Sequence, residues 1–168
     1  MHRNHTNSMT SRNEITARSD HSRKRVLVCA STDTEEQWRL AERASQDSLT
    51  FVRSAVDLKR LRDNGTAQFD TVILNQVFEP DWAEPVLLAW SLLADGGRLL
   101  AVVPQDSDRD RSQNARAAQK LIGQFGRTRR PSRRARQAGI PTHCSILVCT
   151  KRGSRTANWW QRALRLSR

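Results

Sequence analysis

Four short apolar runs constrain what this chain folds into more than any other feature of its sequence. They cover residues 26–30, 49–52, 69–74 and 98–103, and Val, Leu and Ile dominate them without regular polar alternation. Such runs are typical of strands that are buried on both faces. Helix signals lie between the runs, so the repeated order strand–helix predicts parallel pairing through right-handed crossovers.

The segments between the apolar runs carry capping residues and apolar side chains at helical spacing. The predicted helices cover 35–44, 56–62, 84–93 and 112–125, and a fifth strand is predicted at 146–149. In the second helix, Val56, Leu58 and Leu61 are expected to face inward. Gly96 and Gly97 follow the third helix, where glycine allows a sharp return of the chain. We therefore predict an α/β fold with three layers: a Rossmann-like, mostly parallel sheet of about five strands, with helices on both faces.

The charge of the chain is distributed unevenly along its length. The 168 residues carry a net charge of +12, and this length fits a single domain. Residues 106–168 contain sixteen Lys and Arg against three Asp and Glu, whereas residues 25–105 contain eight against twelve. The basic C-terminal third predicts partners that carry phosphate, either a nucleic acid or an anionic membrane surface.

Composition divides the chain into three segments. Residues 1–24 are polar and are predicted to form a disordered leader, residues 25–152 form the α/β domain, and residues 153–168 form a basic tail. No apolar run approaches the length of a membrane-spanning helix, and no apolar stretch follows the basic residues of the leader. We therefore expect a cytoplasmic protein, peripheral to the inner face of the membrane if the tail binds lipid. Cys29 and Cys149 lie within apolar runs, which predicts buried, reduced thiols.

Residues 69–105 resemble the second half of the class I S-adenosylmethionine-dependent methyltransferase domain. The resemblance rests on the FDTV strand, a short polar turn, a helix, the LLADGGRL turn and a strand that ends at Pro104. Residues 133–152 are similar to the closing helix, glycine turn and final strand of that family, so the resemblance covers roughly 25–152. It implies S-adenosylmethionine as the cofactor and methyl transfer as the reaction.

The cofactor end of the domain departs from the family pattern in two alternative registers. If residues 26–29 are the first strand of the family, the loop that follows (30–34) lacks its glycines. If they are instead the second strand, the first strand and its loop are absent. The 43 residues between Val26 and Phe69 are few for a complete first half and favour this second register. The acidic residues expected at the ribose and the adenine would then fall at Cys29 and at Ser54 or Ala55.

The resemblance implies a cofactor pocket lined by Ser31, Thr32, Asp33, Asn75 and Gln76. In the second register, Asp33 and Asp57 lie near the ribose and adenine positions in the sequence and are the candidates to substitute for the missing carboxylates. No residue is assigned a catalytic role, and the altered cofactor end is consistent with a catalytically impaired relative, a pseudoenzyme. The alternative function is a non-catalytic adaptor on the same fold, which binds a membrane, a nucleic acid or a partner protein through its basic C-terminal third.

Two other interpretations fit the residues less well. A receiver-like or flavodoxin-like sheet would also accommodate the strands, but Asn75 stands where a phosphoacceptor aspartate is expected. Asp106, Asp108 and Asp110 alternate as calcium ligands do, yet the glycine and the final glutamate of such a loop are missing. A solvated turn is the better interpretation of the three aspartates, and no metal site is predicted.

Six arginines within residues 127–136 support two interpretations. The segment is either a solvated crossover or a surface that binds phosphate, in which case Arg129, Arg130, Arg133 and Arg134 are the predicted ligands.

The tail predicts a basic amphipathic helix with paired tryptophans. Trp159 and Trp160 lie on its apolar side, and Arg162 and Arg165 lie on the opposite stripe. This pattern is typical of helices that lie in a membrane interface, and these four residues are the predicted membrane or partner contacts. The alternative is that the tryptophans pack on the domain's own sheet.

Overall fold

The computed structural model describes residues 23–30, 47–65, 68–75, 80–137 and 139–152. These residues form six strands and four helices. In chain order the elements are β1 (Arg25–Cys29), β2 (Ser48–Val52), α1 (Ala55–Asp63), β3 (Phe69–Leu74), α2 (Ala83–Ser91), β4 (Leu93–Pro104), α3 (Gln113–Phe125), β5 (Gly126–Arg129), α4 (Arg133–Gln137) and β6 (Cys144–Thr150).

The six described strands form one mixed sheet in the order β2-β1-β3-β4-β6-β5. The pairs β1–β2, β1–β3 and β3–β4 are parallel, and β6 is antiparallel to both β4 and β5. Five of these strands therefore run in one direction. The prediction of a Rossmann-like α/β fold with a mostly parallel sheet is confirmed, with six described strands where about five were expected.

The additional strand is β5, which lies within the arginine run. Its sequence, GRTR, has no apolar side chain, and three of its four residues are exposed. It is a strand because it pairs with β6, with Arg127 beside Val148 and Arg129 beside Ile146. Pairing of this kind does not depend on a local apolar pattern, so the sequence predicted only a crossover here.

The main core lies on one face of the sheet, under α1, α2 and α3. Strand residues with no exposure, such as Leu27, Val72, Leu99 and Leu147, pack there with Leu58 of α1. The opposite face of β1 is buried as well, through a second cluster that contains Val26 and Val28. Two-sided burial explains the continuous apolar run of β1. The helix predicted at 35–44 lies outside the described residues.

Two positions on the helices differ from the prediction. Val56 is 58% exposed rather than inward-facing, because α1 begins at Ala55 and presents Leu58 to the core. Helix α2 ends at Ser91, and Leu93 is already the first residue of β4. The Gly96–Gly97 pair is therefore part of β4, where Gly96 has a φ of 82° and its N–H donates to Lys151 O at 2.7 Å. Within the described residues, no helix is long and apolar enough to cross a membrane.

Candidate functional site at the carboxyl ends of the strands

The strand order reverses between β1 and β3. The chain passes from β1 to β2 on one side, and from β3 to β4 on the other. The carboxyl ends are level, because Asn75 N donates to Cys29 O at 2.8 Å and Ala30 N donates to Val52 O at 3.2 Å. In open α/β sheets, ligands bind in the crevice outside the carboxyl ends at such a reversal. The candidate cofactor site therefore lies beyond Ala30 and Asn75.

Of the five residues predicted to bind the cofactor, the structure describes Asn75. It is half-buried, directly after β3, at the reversal point. Ser31, Thr32, Asp33 and Gln76 lie outside the described residues, and their roles stay predictions. Ala30, which is 4% exposed, directly follows β1 as Asn75 follows β3.

The position of β1 bears on the two alternative registers. β1 pairs with β2 on one side and with β3 on the other, so it is the strand at the reversal point. In doubly wound folds, the turn after this strand carries the loop that approaches the ligand. The sheet order therefore supports the first register, in which residues 30–34 are the cofactor loop, although chain length favoured the second.

Cys29 is the last residue of β1, and its side chain points into the core under the helices. It has no exposure, and burial raises its pKa to about 12, with a smaller contribution from the negative charge of Asp57. A protonated thiol in this position faces the helices rather than a ligand. The structure therefore gives Cys29 a packing role.

Asp57 acts as part of the N-terminal cap of α1. Its Oδ2 accepts hydrogen bonds from Ser54 Oγ at 2.8 Å and from Arg53 N at 3.3 Å. Ser54 Oγ in turn accepts from Asp57 N at 3.2 Å, which completes a reciprocal capping box. The other oxygen lies 3.8 Å from Arg60 Nη1, and the hydrogen bond from Ser54 is the main reason that the pKa of Asp57 is lowered. These contacts explain the position of the Asp57 carboxylate as a helix cap, with no need for a bound ligand.

A second crevice lies at the carboxyl end of β4. Its volume is about 480 Å³, and its walls are Pro80, Trp82, Pro104, Asp106, Ser107, Arg109 and Asp110. Trp82 Nε1 donates to Asp110 Oδ2 at 3.1 Å, and Gln119 Nε2 donates to the carbonyl oxygens of Ser107 and Asp110 at 2.8 and 2.9 Å. The loop between β4 and α3 is thereby held from α3 and from the start of α2.

Sequence reasoning assigned Trp82 only to the opening of a helix and missed its contact with this loop. A tryptophan 28 positions from Asp110 gives no local signal for that hydrogen bond. The pKa of Asp110 is lowered, chiefly by the hydrogen bond from the backbone of Ser112, so Asp110 caps α3 as well. Among the described residues, no group of three His, Cys, Asp or Glu side chains is arranged to hold a metal ion.

The structure brings the four predicted phosphate ligands together at the β5 end of the sheet. Arg129 ends β5, Arg130 follows it, and Arg133 and Arg134 open α4. All four are exposed. The predicted tail contacts Trp159, Trp160, Arg162 and Arg165 lie outside the described residues.

Among known proteins, the chain is similar to solved structures and not to any family model or curated sequence. Phosphoethanolamine N-methyltransferase 2 of Haemonchus contortus, solved with phosphomonomethylethanolamine and S-adenosylhomocysteine, matches with a TM-score of 0.50 and 12% identity over 80% of this chain. The same enzyme solved with S-adenosyl-L-methionine matches with a TM-score of 0.50 and 13% identity, again over 80% of this chain.

The match spans 34% of each of those two structures, so this chain corresponds to about a third of the enzyme. At this identity the likeness concerns the fold. The resemblance that the FDTV strand and the LLADGGRL turn indicated is confirmed at that level. The chain has the Rossmann-like α/β fold of S-adenosylmethionine-dependent methyltransferases.

Proposed function

We propose that this chain is a methyltransferase-type domain that binds S-adenosylmethionine or S-adenosylhomocysteine in the crevice outside β1 and β3. The observation that carries the proposal is the reversal of strand order between these two strands, with their carboxyl ends held level by the bond from Asn75 N to Cys29 O. The fold shared with an enzyme solved with these ligands supports it.

The described residues fit such a ligand in part. Asn75 is half-buried at the reversal, and its side-chain amide can both donate and accept a hydrogen bond. Asp57 is the carboxylate nearest to the carboxyl end of β2 in the described chain, and it is engaged by Ser54, Arg53 and Arg60. We therefore propose weaker cofactor binding than a free carboxylate at the ribose would give, and impaired activity.

When bound, the cofactor supplies an activated methyl group on a sulfonium. The contribution of this chain is then to hold the acceptor in line with that group, since orientation provides most of the acceleration in such a transfer. The second crevice, at the carboxyl end of β4, is the proposed acceptor site because it lies on the same edge of the sheet. Asp106 is exposed there and can take the proton that a nitrogen or oxygen acceptor releases.

Calorimetric titration of the full-length chain with each ligand, at low and moderate salt, tests the proposal. We expect saturable binding, and we expect Asn75→Ala to weaken it about fivefold, the effect of losing one hydrogen bond of about 1 kcal/mol. Gln124→Ala is the control, because Gln124 is an exposed amide near the end of α3, where the chain turns toward the start of β5.

Two results would contradict the proposal. One is the absence of both heat and thermal stabilisation with either ligand. The other is equal weakening of binding by Gln124→Ala and Asn75→Ala, which would place the ligand elsewhere or attribute its loss to the fold.

A further inference from the structure

Six exposed arginines line β5 and α4, and none has an acidic partner among the residues that the structure describes. We call this set the arginine edge; its members are Arg127, Arg129, Arg130, Arg133, Arg134 and Arg136. All six are exposed, and within the described part of the chain none of their side chains makes an ion pair or a hydrogen bond. By contrast, α1 carries two ion pairs, Arg60–Asp57 and Arg62–Asp63.

The surrounding sequence offers no compensation for this charge. After Asp110 the chain contains no Asp or Glu as far as its last residue, Arg168. Six like charges within ten residues repel one another and gather counterions from solution. A polyanion that displaces those counterions gains the entropy of their release, which gives this surface a physical reason to bind one.

The arrangement of the arginine edge is extended rather than concave. Arg127 and Arg129 lie opposite Val148 and Ile146 of β6, so both project from the face of the sheet away from α1, α2 and α3. The remaining four continue around the carboxyl end of β5 through α4. A four-residue strand is about 13 Å long, so the charges form a row that fits successive phosphates better than a single one.

We propose that the arginine edge binds the sugar–phosphate backbone of a nucleic acid. Guanidinium groups make paired hydrogen bonds with phosphate oxygens, and contacts of this kind dominate affinity for nucleic acids. A membrane fits the described surface less well, because interfacial binding adds buried apolar side chains to the charge. The large apolar side chain exposed in the described part of the chain is Val56, on α1, and none lies along the arginine edge.

The position of the arginine edge relates it to the crevice of the proposed function. β5 runs parallel to β3 at three strand spacings, or about 14 Å, and Arg129 ends it at the carboxyl side of the sheet. A nucleic acid held there lies beside the crevice outside β1 and β3. Its binding does not require the cofactor, so the two proposals fail separately.

The test is fluorescence anisotropy of a labelled RNA hairpin with the full-length chain, over a series of salt concentrations without cofactor. The variant replaces four arginines of the edge by alanine: Arg129, Arg130, Arg133 and Arg134. The control replaces four exposed cations elsewhere by alanine: Lys59, Arg60, Arg98 and Arg116. The unfolding midpoint of each variant in urea is measured first, and exposure of all eight side chains predicts little change.

We expect the dependence of log K on log salt to be less steep by about 3 in the edge variant, since each of the four lost phosphate contacts contributes about 0.7 on a single strand and about 0.9 on a duplex. The control is expected to retain most of the original slope. Equal losses in the two variants would overturn the proposal, because they would indicate a response to total charge alone.

A vesicle assay separates nucleic acid from lipid. Retained binding of the edge variant to the hairpin, with lost binding to phosphatidylserine vesicles, would also overturn the proposal and assign the surface to a membrane. A weaker salt dependence in the edge variant than in the control, in a chain that gives no heat with S-adenosylmethionine, would support the arginine edge and contradict the cofactor proposal.

Discussion

Replacement of Gly126 by alanine is expected to destabilise the domain through a direct collision at the junction of α3 and β5. The φ of Gly126 is −149°, which is extended backbone, so no conformational preference demands glycine there. A Cβ at this position would overlap Cys149 Sγ and would lie 2.7 Å from Val148 O. Cys149 has no exposure, and Val148 belongs to β6, so neither atom can move away without disturbing the sheet.

The size of the expected loss of stability follows from the movement of β5 that an added Cβ requires. β5 has to shift by about 1 Å to restore ordinary contact, which costs about 1–3 kcal/mol as overpacking and weakens a ladder hydrogen bond worth about 1 kcal/mol. We expect the free energy of unfolding to fall by about 2–3 kcal/mol. The melting temperature of a chain of 168 residues would then fall by about 5–10 °C.

Gly123→Ala provides a matched control three residues earlier in the chain. Gly123 lies within α3, is exposed, and has no atom within 4 Å of an added Cβ. Alanine is the better helix former there, so we expect stabilisation by about 0.5–1 kcal/mol. The same substitution is thus expected to lower the free energy of unfolding at Gly126 and to raise it at Gly123.

Urea denaturation of the full-length chain and the variants Gly123→Ala, Gly126→Ala and Gly126→Ala/Cys149→Ala measures these effects. The double variant removes Sγ but leaves Val148 O in place. It should therefore be more stable, by about 1 kcal/mol, than the sum of the two single substitutions predicts. Stability of Gly126→Ala within about 0.5 kcal/mol of the parent would refute the argument.

Further predictions concern two tryptophans and two thiols. Trp82→Phe should lower the free energy of unfolding, measured in urea, by about 1–2 kcal/mol because Asp110 loses its indole donor. Trp90→Phe should lower it by about half as much, since Trp90 Nε1 is buried without an acceptor in the described chain. Equal losses in the two variants would contradict this prediction. Burial raises the pKa of Cys29 and of Cys149 from 9.0 to about 12, so the unfolded chain loses these protons first as pH rises. The free energy of unfolding should therefore fall above about pH 9 by up to about 1.4 kcal/mol per pH unit for each thiol. Cys149→Ala should flatten the decline, and an unchanged profile would contradict the prediction.

The sequence by itself determined the elements whose signals are local. Residues 26–29, 69–74 and 98–103 lie in strands of the structure because two-sided burial requires continuous apolar side chains, and that requirement is visible in the chain. The serines that cap α1 and α3 each accept a hydrogen bond from a backbone N–H three residues later, a relation that spacing reveals. The uneven charge is likewise a property of sequence alone.

The tertiary structure decided whatever depends on pairing between distant residues. β5 has no apolar pattern and is a strand because it pairs with β6. Leu93 belongs to β4 and not to the predicted helix because it pairs with Phe69 of β3. Asp57 was a candidate ligand by position, but contacts with Ser54 and Arg53 make it a cap. The place of β1 between β2 and β3, and with it the crevice at their carboxyl ends, follows from the order of strands in the sheet. Local propensity does not encode that order, because it is set by which buried faces meet across the whole domain.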